Sequence, residues 1–134
     1  MAGGMIGLTA LLALQIEAAV VPSPPPPPPI AGQWSIVAIG QEPVSGSQYA
    51  LSIAAAEIGG RAGCNSFTAP YTMAGETLTV GAARSTRMAC APGVMTREQR
   101  ALAILSGAVR VSRPDANTLV LTGDEGAIRL RRAN

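Results

Sequence analysis

The chain has no histidine, which removes Ser-His-Asp triads, Cys-His pairs and any zinc site that needs imidazole. It has no lysine either. All ten basic residues are arginine, so there is no Schiff-base amine, no Ser-Lys dyad and no phosphate-loop lysine. Two cysteines alone cannot close a four-thiolate metal site. Aromatic residues make up only 3 % of the chain, so its core must be built from Ile, Leu, Val, Met and Ala. A net charge of +2 is too mild to call for a polyanionic partner, and few aromatics are available for base stacking. These absences point to a protein without an enzymatic activity, without metal or cofactor, and without a nucleic-acid partner. The all-arginine usage, set beside abundant Ala, Gly and Pro, reads as the composition bias of a GC-rich genome.

What is present begins with an apolar run. Met5 to Leu14 has the length of a signal-peptide hydrophobic region and is too short to span a bilayer. Ala18 and Ala19 suit cleavage nearby, whereas Glu17 and the lack of an early arginine or lysine do not. Residues 1–21 are read as an export signal, with any membrane contact confined to this segment if it is retained. No cysteine follows the run, so a lipid anchor is not expected. Residues 22–31 follow as a proline-rich linker. Pro22 to Pro29 would form a stiff polyproline II spacer of roughly 25 Å at about 3.1 Å per residue.

The remaining residues, 32–134, give room for one domain with a modest core. "QWSIVAIG" places Trp34, Ile36 and Ala38 on one strand face and Val37 and Ile39 on the other, as for a strand covered on both sides. "YALSIAA", the Gly-rich "EIGGRAG", "SFTAPYTM" and "ETLTVG" read as further strands. "TREQ" at 96–99 predicts a capping box with Thr96 as N-cap. Ala101, Leu102, Ile104, Leu105, Ala108 and Val109 recur at helical spacing, with Gly107 as the terminating residue. "VRVSR", "TLVLT" and "AIRLRR" form a closing meander that turns at 114–117 and at "GDEG". The expected fold is mainly β (α+β): an antiparallel sheet or partly closed barrel with one amphipathic helix packed on it.

The pieces "WSIVAIG" (34–40), "GGRAGCNSFTAPY" (59–71), "LTVG" (78–81), "RSTRMAC" (84–90) and the closing hairpin together resemble the META domain family, that of the bacterial heat-shock protein HslJ. The matching motif residues are Trp34, Gly63, Asn65, Phe67, Tyr71, Ser85, Thr86 and Met88. Ala69 stands where the family often has Gly, and Pro70 stiffens the chain before Tyr71. The resemblance implies heat-shock, envelope or secretion contexts and carries no catalytic residues.

An even count of cysteines in an exported chain favours a Cys64–Cys90 disulfide, closing a loop of about 26 residues and contributing roughly 3.5 kcal/mol on the chain-entropy model. Two buried free thiols, or a redox pair tuned by Arg61, Arg84 or Arg87, remain open. Asn65 is read as serving its own turn, with a left-handed backbone available to it. Thr86 is read as a strand residue or a hydroxyl bonding that turn. Trp34, Phe67 and Tyr71 are read as core or core edge, and Met73, Met88 and Met95 as core filling. Arg110, Arg113, Arg129 and Arg131 would form a basic strip if they share a sheet face; Asp115, Asp124 and Glu125 at the turns would balance it. "GDEG" lacks the spaced acidic ligands of a calcium loop.

The expected function is that of an exported periplasmic or secreted protein. It would bind an envelope protein or a small apolar ligand, the latter in a groove between helix and sheet, in connection with stress, and act as a monomer. The alternatives are an inhibitor or assembly partner of another envelope protein, and a thiol-based redox protein using Cys64 and Cys90.

Overall fold

The computed structural model describes Gly3, Gly4, Gly7 and residues 29–133. The expected export signal and all of the linker up to residue 28 lie outside the described residues, those three glycines aside. Ten strands and one helix follow in the order β1 (Gly32–Ile39), β2 (Glu42–Pro43), β3 (Tyr49–Ile53), β4 (Glu57–Ala62), β5 (Ser66–Ala74), β6 (Thr77–Val80), β7 (Arg84–Ser85), α1 (Pro92–Ile104), β8 (Gly107–Asp115), β9 (Thr118–Gly123) and β10 (Gly126–Arg132).

With β2 and β7 set aside, the other eight strands form a closed antiparallel barrel in the order β1-β3-β4-β5-β6-β8-β9-β10. Pairing of β10 with β1 shuts it, with Trp34 opposite Arg132 and Ile36 opposite Leu130. An eight-stranded barrel has an interior just wide enough for side chains to fill. Here Ile36, Ile39, Leu51, Ile58, Leu78, Val109, Leu119, Leu121, Ile128 and Leu130 fill it, all fully buried. The period-two alternation of the last three strands follows the expected meander: Val109, Val111, Leu119, Leu121, Ile128 and Leu130 all point inward.

β1 departs from the expected two-sided cover. The register shifts between Ile36 and Ala38, a β-bulge opposite β10. The extra residue lets Trp34, Ile36 and Ile39 all face the core, while Val37 and Ala38 are half-exposed. The apolar residues on both faces reflect this change of phase, not a covering layer.

α1 crosses one end of the barrel and closes it with Ala101, Ile104 and Leu105. Contact there is tight: a Cβ on Gly123 would lie 2.3 Å from the Ile104 carbonyl oxygen, so only glycine fits. The helix begins four residues before the expected capping box. Pro92 takes the first helical position, where its fixed φ is preset and its missing N–H is no loss. Thr96 is therefore inside the helix, donating its hydroxyl to the Pro92 carbonyl at 2.9 Å. The end is also earlier than expected. Leu105 caps the helix and its N–H bonds Ala101 O, so Ala108 and Val109 belong to β8. Gly107, with φ +75°, turns the chain into that strand.

Residues 29–31 are packed at the opposite end of the barrel. Ile30 is buried, and its carbonyl accepts the Trp34 indole N–H at 2.8 Å. Arg132 donates to the Ala31 carbonyl at 3.3 Å and Arg113 to that of Pro29.

Candidate functional site

At the helix end of the barrel, the β4–β5 connection meets α1 and the segment that follows β6. Gly63 has φ +129°, and a Cβ there would meet the Val94 side chain at 2.9 Å, so the chain can pass under the helix only with glycine in this place. That passage turns the backbone N–H groups of Cys64 and Asn65 toward the helix. Glu98, on the buried side of α1, receives both on Oε1, that of Cys64 at 3.3 Å, and takes the Asn65 side-chain amide on Oε2 at 2.8 Å. Glu98 is buried and stands outside both ion pairs found among the described residues, so N–H donors alone hold this carboxylate.

Asn65 links that carboxylate to an exposed stretch of chain. Its Oδ1 accepts the Thr86 hydroxyl at 2.9 Å and the Met88 N–H at 2.6 Å; its Nδ2 donates to the Met88 carbonyl at 3.2 Å and to Glu98. All four hydrogen-bonding positions of the amide are used. Asn65 thus serves the distant 86–88 segment and not its own turn, and its φ is not positive; Gly63 supplies the left-handed residue instead. Thr86 completes the junction, its hydroxyl accepting the Ser66 N–H at 3.1 Å and its own N–H bonding Ser66 O at 3.0 Å.

The second tie is covalent. Cys64 and Cys90 are paired at disulfide distance, with Cα atoms 6.0 Å apart across a separation of 26 residues. Cys64 is buried and Cys90 exposed. The third tie is β7, which pairs with β5 through Ser85 opposite Phe67 and Arg84 opposite Thr68. Every residue from Gly81 to Gly93 is nonetheless exposed. Met88 is 51 % exposed, which overturns its reading as core filling; Asn65 holds its backbone and leaves its side chain in solvent.

The other motif residues sit elsewhere. Phe67 is in the core, and half-buried Tyr71 donates its hydroxyl to Ala54 O. Trp34 is buried at the far end, with the Arg132 guanidinium 4.4 Å and that of Arg113 5.3 Å from its ring centroid. Arg113 is thereby withdrawn from the expected basic strip. A register shift between Ser112 and Asp115 turns it toward Trp34 and the carbonyls of Ala116 and Thr118. Arg110, Arg129 and Arg131 remain exposed on β8 and β10. Asp115 is held below the usual carboxylate range, first by the Asn117 N–H and then by the Thr118 hydroxyl, with Arg131 adding a smaller attraction. Near α1, Arg97 bonds Glu42 at 2.8 Å and the Tyr49 hydroxyl at 3.1 Å; that arginine hydrogen bond is the largest cause of the lowered Glu42 pKa.

Composition and motif do not single out Glu98. The available signal was its position: at i, i+3 and i+7 with Ala101 and Leu105, it stands in the apolar stripe of its own helix. Among the described residues, no group of three or more His, Cys, Asp or Glu side chains is arranged to hold a metal ion. Shallow grooves lie on the outer surface. One of about 440 Å³ lies over β4, β5 and β7, between Glu57, Pro70 and Arg84, and one of about 550 Å³ is lined by Pro29, Ile30, Tyr71 and Met73.

This arrangement can be set beside known proteins. The META domain family model matches residues 29–134, which takes in the barrel, the Asn65–Glu98 clasp on the 86–88 segment and the packed residues 29–31. The chain belongs to the META domain family. Two solved structures share the META domain chain's fold. One, titled "NMR structure of the protein", has a TM-score of 0.63 at 21 % identity and covers 75 % of this chain and 87 % of its own. The other, from Burkholderia xenovorans, has a TM-score of 0.59 at 21 % identity over 78 % and 83 %. A search of curated proteins found no match.

Proposed function

We propose that this META domain protein is exported to the cell envelope and acts there by binding a protein partner, in connection with stress, and not by catalysis. The observation that carries this reading is the exposed 81–93 segment, held by a buried carboxylate, a fully used asparagine amide and a cysteine pair. Ordering a residue costs about 1–2 kcal/mol of backbone entropy, and this segment recovers little by burial. A surface kept in one shape at that cost is suited to being recognised.

Export is supported by the apolar run at 5–14 ahead of the prolines and by cysteines at bonding distance. The absence of histidine and lysine and the pairing of both cysteines support a non-enzymatic role. A small apolar ligand has less behind it. The barrel interior is occupied by side chains, and α1 is seated against Gly123 where a helix–sheet groove was expected. The test is the intact mass of the protein from its own host, by cell fraction, before and after reduction with alkylation. The expected result is a shortened chain in the envelope fraction whose cysteines label only after reduction. A full-length cytoplasmic chain with two free thiols would refute the proposal and revive the redox alternative.

A further inference from the structure

We propose that the free edge of β7, continued through Arg87 and Met88, is a docking strand that adds an extended acidic segment of a partner protein. This rests on the protein-binding reading above and names the face and the partner's chemistry.

The backbone pattern sets out the edge. In antiparallel pairing, alternate residues direct their N–H and C=O groups to the neighbouring strand and the rest direct theirs away. The Thr86 N–H bonds Ser66 O at 3.0 Å and Arg84 pairs with Thr68 in the same phase, so the Arg84 backbone groups and the Thr86 N–H face β5; the Ser66 N–H goes to the Thr86 hydroxyl, and the Thr86 carbonyl accepts the Ser85 hydroxyl at 2.8 Å. Met88 falls in the same phase, and the Asn65 amide acts as the next rung of the ladder, bonding both its N–H and its C=O. The backbone groups of Ser85 and Arg87 are thereby left on the open side. Among the described residues β7 has β5 as its sole strand partner.

The chemistry of the edge selects the occupant. From Gly81 to Gly93 the only charged residues are Arg84 and Arg87, and neither makes an ion pair among the described residues. Positive charge on an edge strand repels a second copy of the same edge. It attracts an extended segment carrying Glu or Asp at alternate positions, with main-chain hydrogen bonds supplying affinity and side chains specificity. Exposed Met88 offers an adaptable apolar contact beside them. Because the disulfide and the Asn65–Glu98 clasp already fix the edge, a partner strand need not order it.

The test is an NMR titration of the full oxidised chain with a capped octapeptide of alternating glutamate and valine, and with its lysine–valine counterpart. The acidic peptide should shift the amides of residues 85–88 and slow exchange at Ser85 and Arg87. Ser85→Pro removes the open-side N–H while sparing the pairing of Arg84 and Thr86, and should weaken binding about tenfold or more; Ser85→Ala, which loses only the hydroxyl bond to Thr86 O, should bind as the wild type does. Arg84→Glu with Arg87→Glu should move the preference to the lysine peptide without touching a backbone group. Several results would overturn the proposal: no shift at millimolar acidic peptide with the barrel's spectrum intact, equal binding of both peptides, shifts confined to other faces, or self-association through residues 84–88. Such a failure in a chain still processed and oxidised in the envelope would remove this edge alone; a cytoplasmic chain with free thiols would remove the protein-binding reading itself.

Discussion

Glu98→Gln is the most informative single change, because it keeps volume and helix propensity and alters only what the side chain can accept. In the native clasp one carboxylate oxygen receives the backbone N–H groups of Cys64 and Asn65, and the other receives Asn65 Nδ2 at 2.8 Å. A glutamine can keep its oxygen on the two backbone donors. Its NH₂ group then faces the NH₂ of Asn65, donor against donor. Turning the Asn65 amide over relieves that conflict but creates two more, at the Met88 N–H and at the Met88 carbonyl. One bond is lost in a buried place, at a cost of about 1–3 kcal/mol. The two backbone bonds lose their charge assistance, at about 0.5–1 kcal/mol each. The expected destabilisation is about 2–5 kcal/mol, read by urea unfolding of the oxidised protein at neutral pH. Hydrogen exchange should show Met88 losing protection along with Asn65, while Leu119 and Leu121 change only with global stability. A stability loss below about 0.5 kcal/mol, with Met88 protection unchanged, would refute the clasp.

Three further perturbations test separate parts of the structure. Cys90→Ser should lower unfolding stability by about 3–4 kcal/mol on the chain-entropy model for this loop, and a loss under about 1 kcal/mol would show that the Asn65 clasp alone fixes the segment. The Glu42 pKa is depressed below the ordinary glutamate value of 4.5, chiefly by its hydrogen bond from Arg97, so its stabilising contribution is present above that value and is lost as pH falls through the folded pKa. Melting temperatures of the wild type and Glu42→Gln should therefore differ at pH 7 and converge as the pH falls through the lowered folded pKa; a gap that widens on acidification would contradict the sign. Arg132→Ala removes the stacked guanidinium 4.4 Å from Trp34 and the bond to Ala31, and should cost about 1 kcal/mol. Since Trp34 is the only tryptophan, acrylamide quenching reads this directly, and unchanged quenching would mean that residues 29–31 close the barrel end without the arginine.

Local patterning determined a good deal of this protein. Alternation of Val109, Val111, Leu119, Leu121, Ile128 and Leu130 specifies the inward face of three strands, because a strand's side chains change sides at every residue. The absence of histidine and lysine bounded the chemistry without any structure. The motif around Cys64, Asn65 and Thr86 carried the family. What the sequence left open depended on contacts between residues far apart in the chain. The bulge in β1 is decided by its pairing with β10, which no window around Ile36 contains. The helix starts at Pro92, and the Thr96–Gln99 pattern falls inside it. Closure of the barrel follows from one pairing, β10 on β1, between opposite ends of the domain. Glu98 is the clearest case. In one dimension it is a charged helical residue; in three it is the acceptor for two backbone N–H groups 33 and 34 residues away, because the Gly63 turn aims them there. Periodicity records which face of an element is apolar, and only the tertiary fold decides which polar group meets which across the gap.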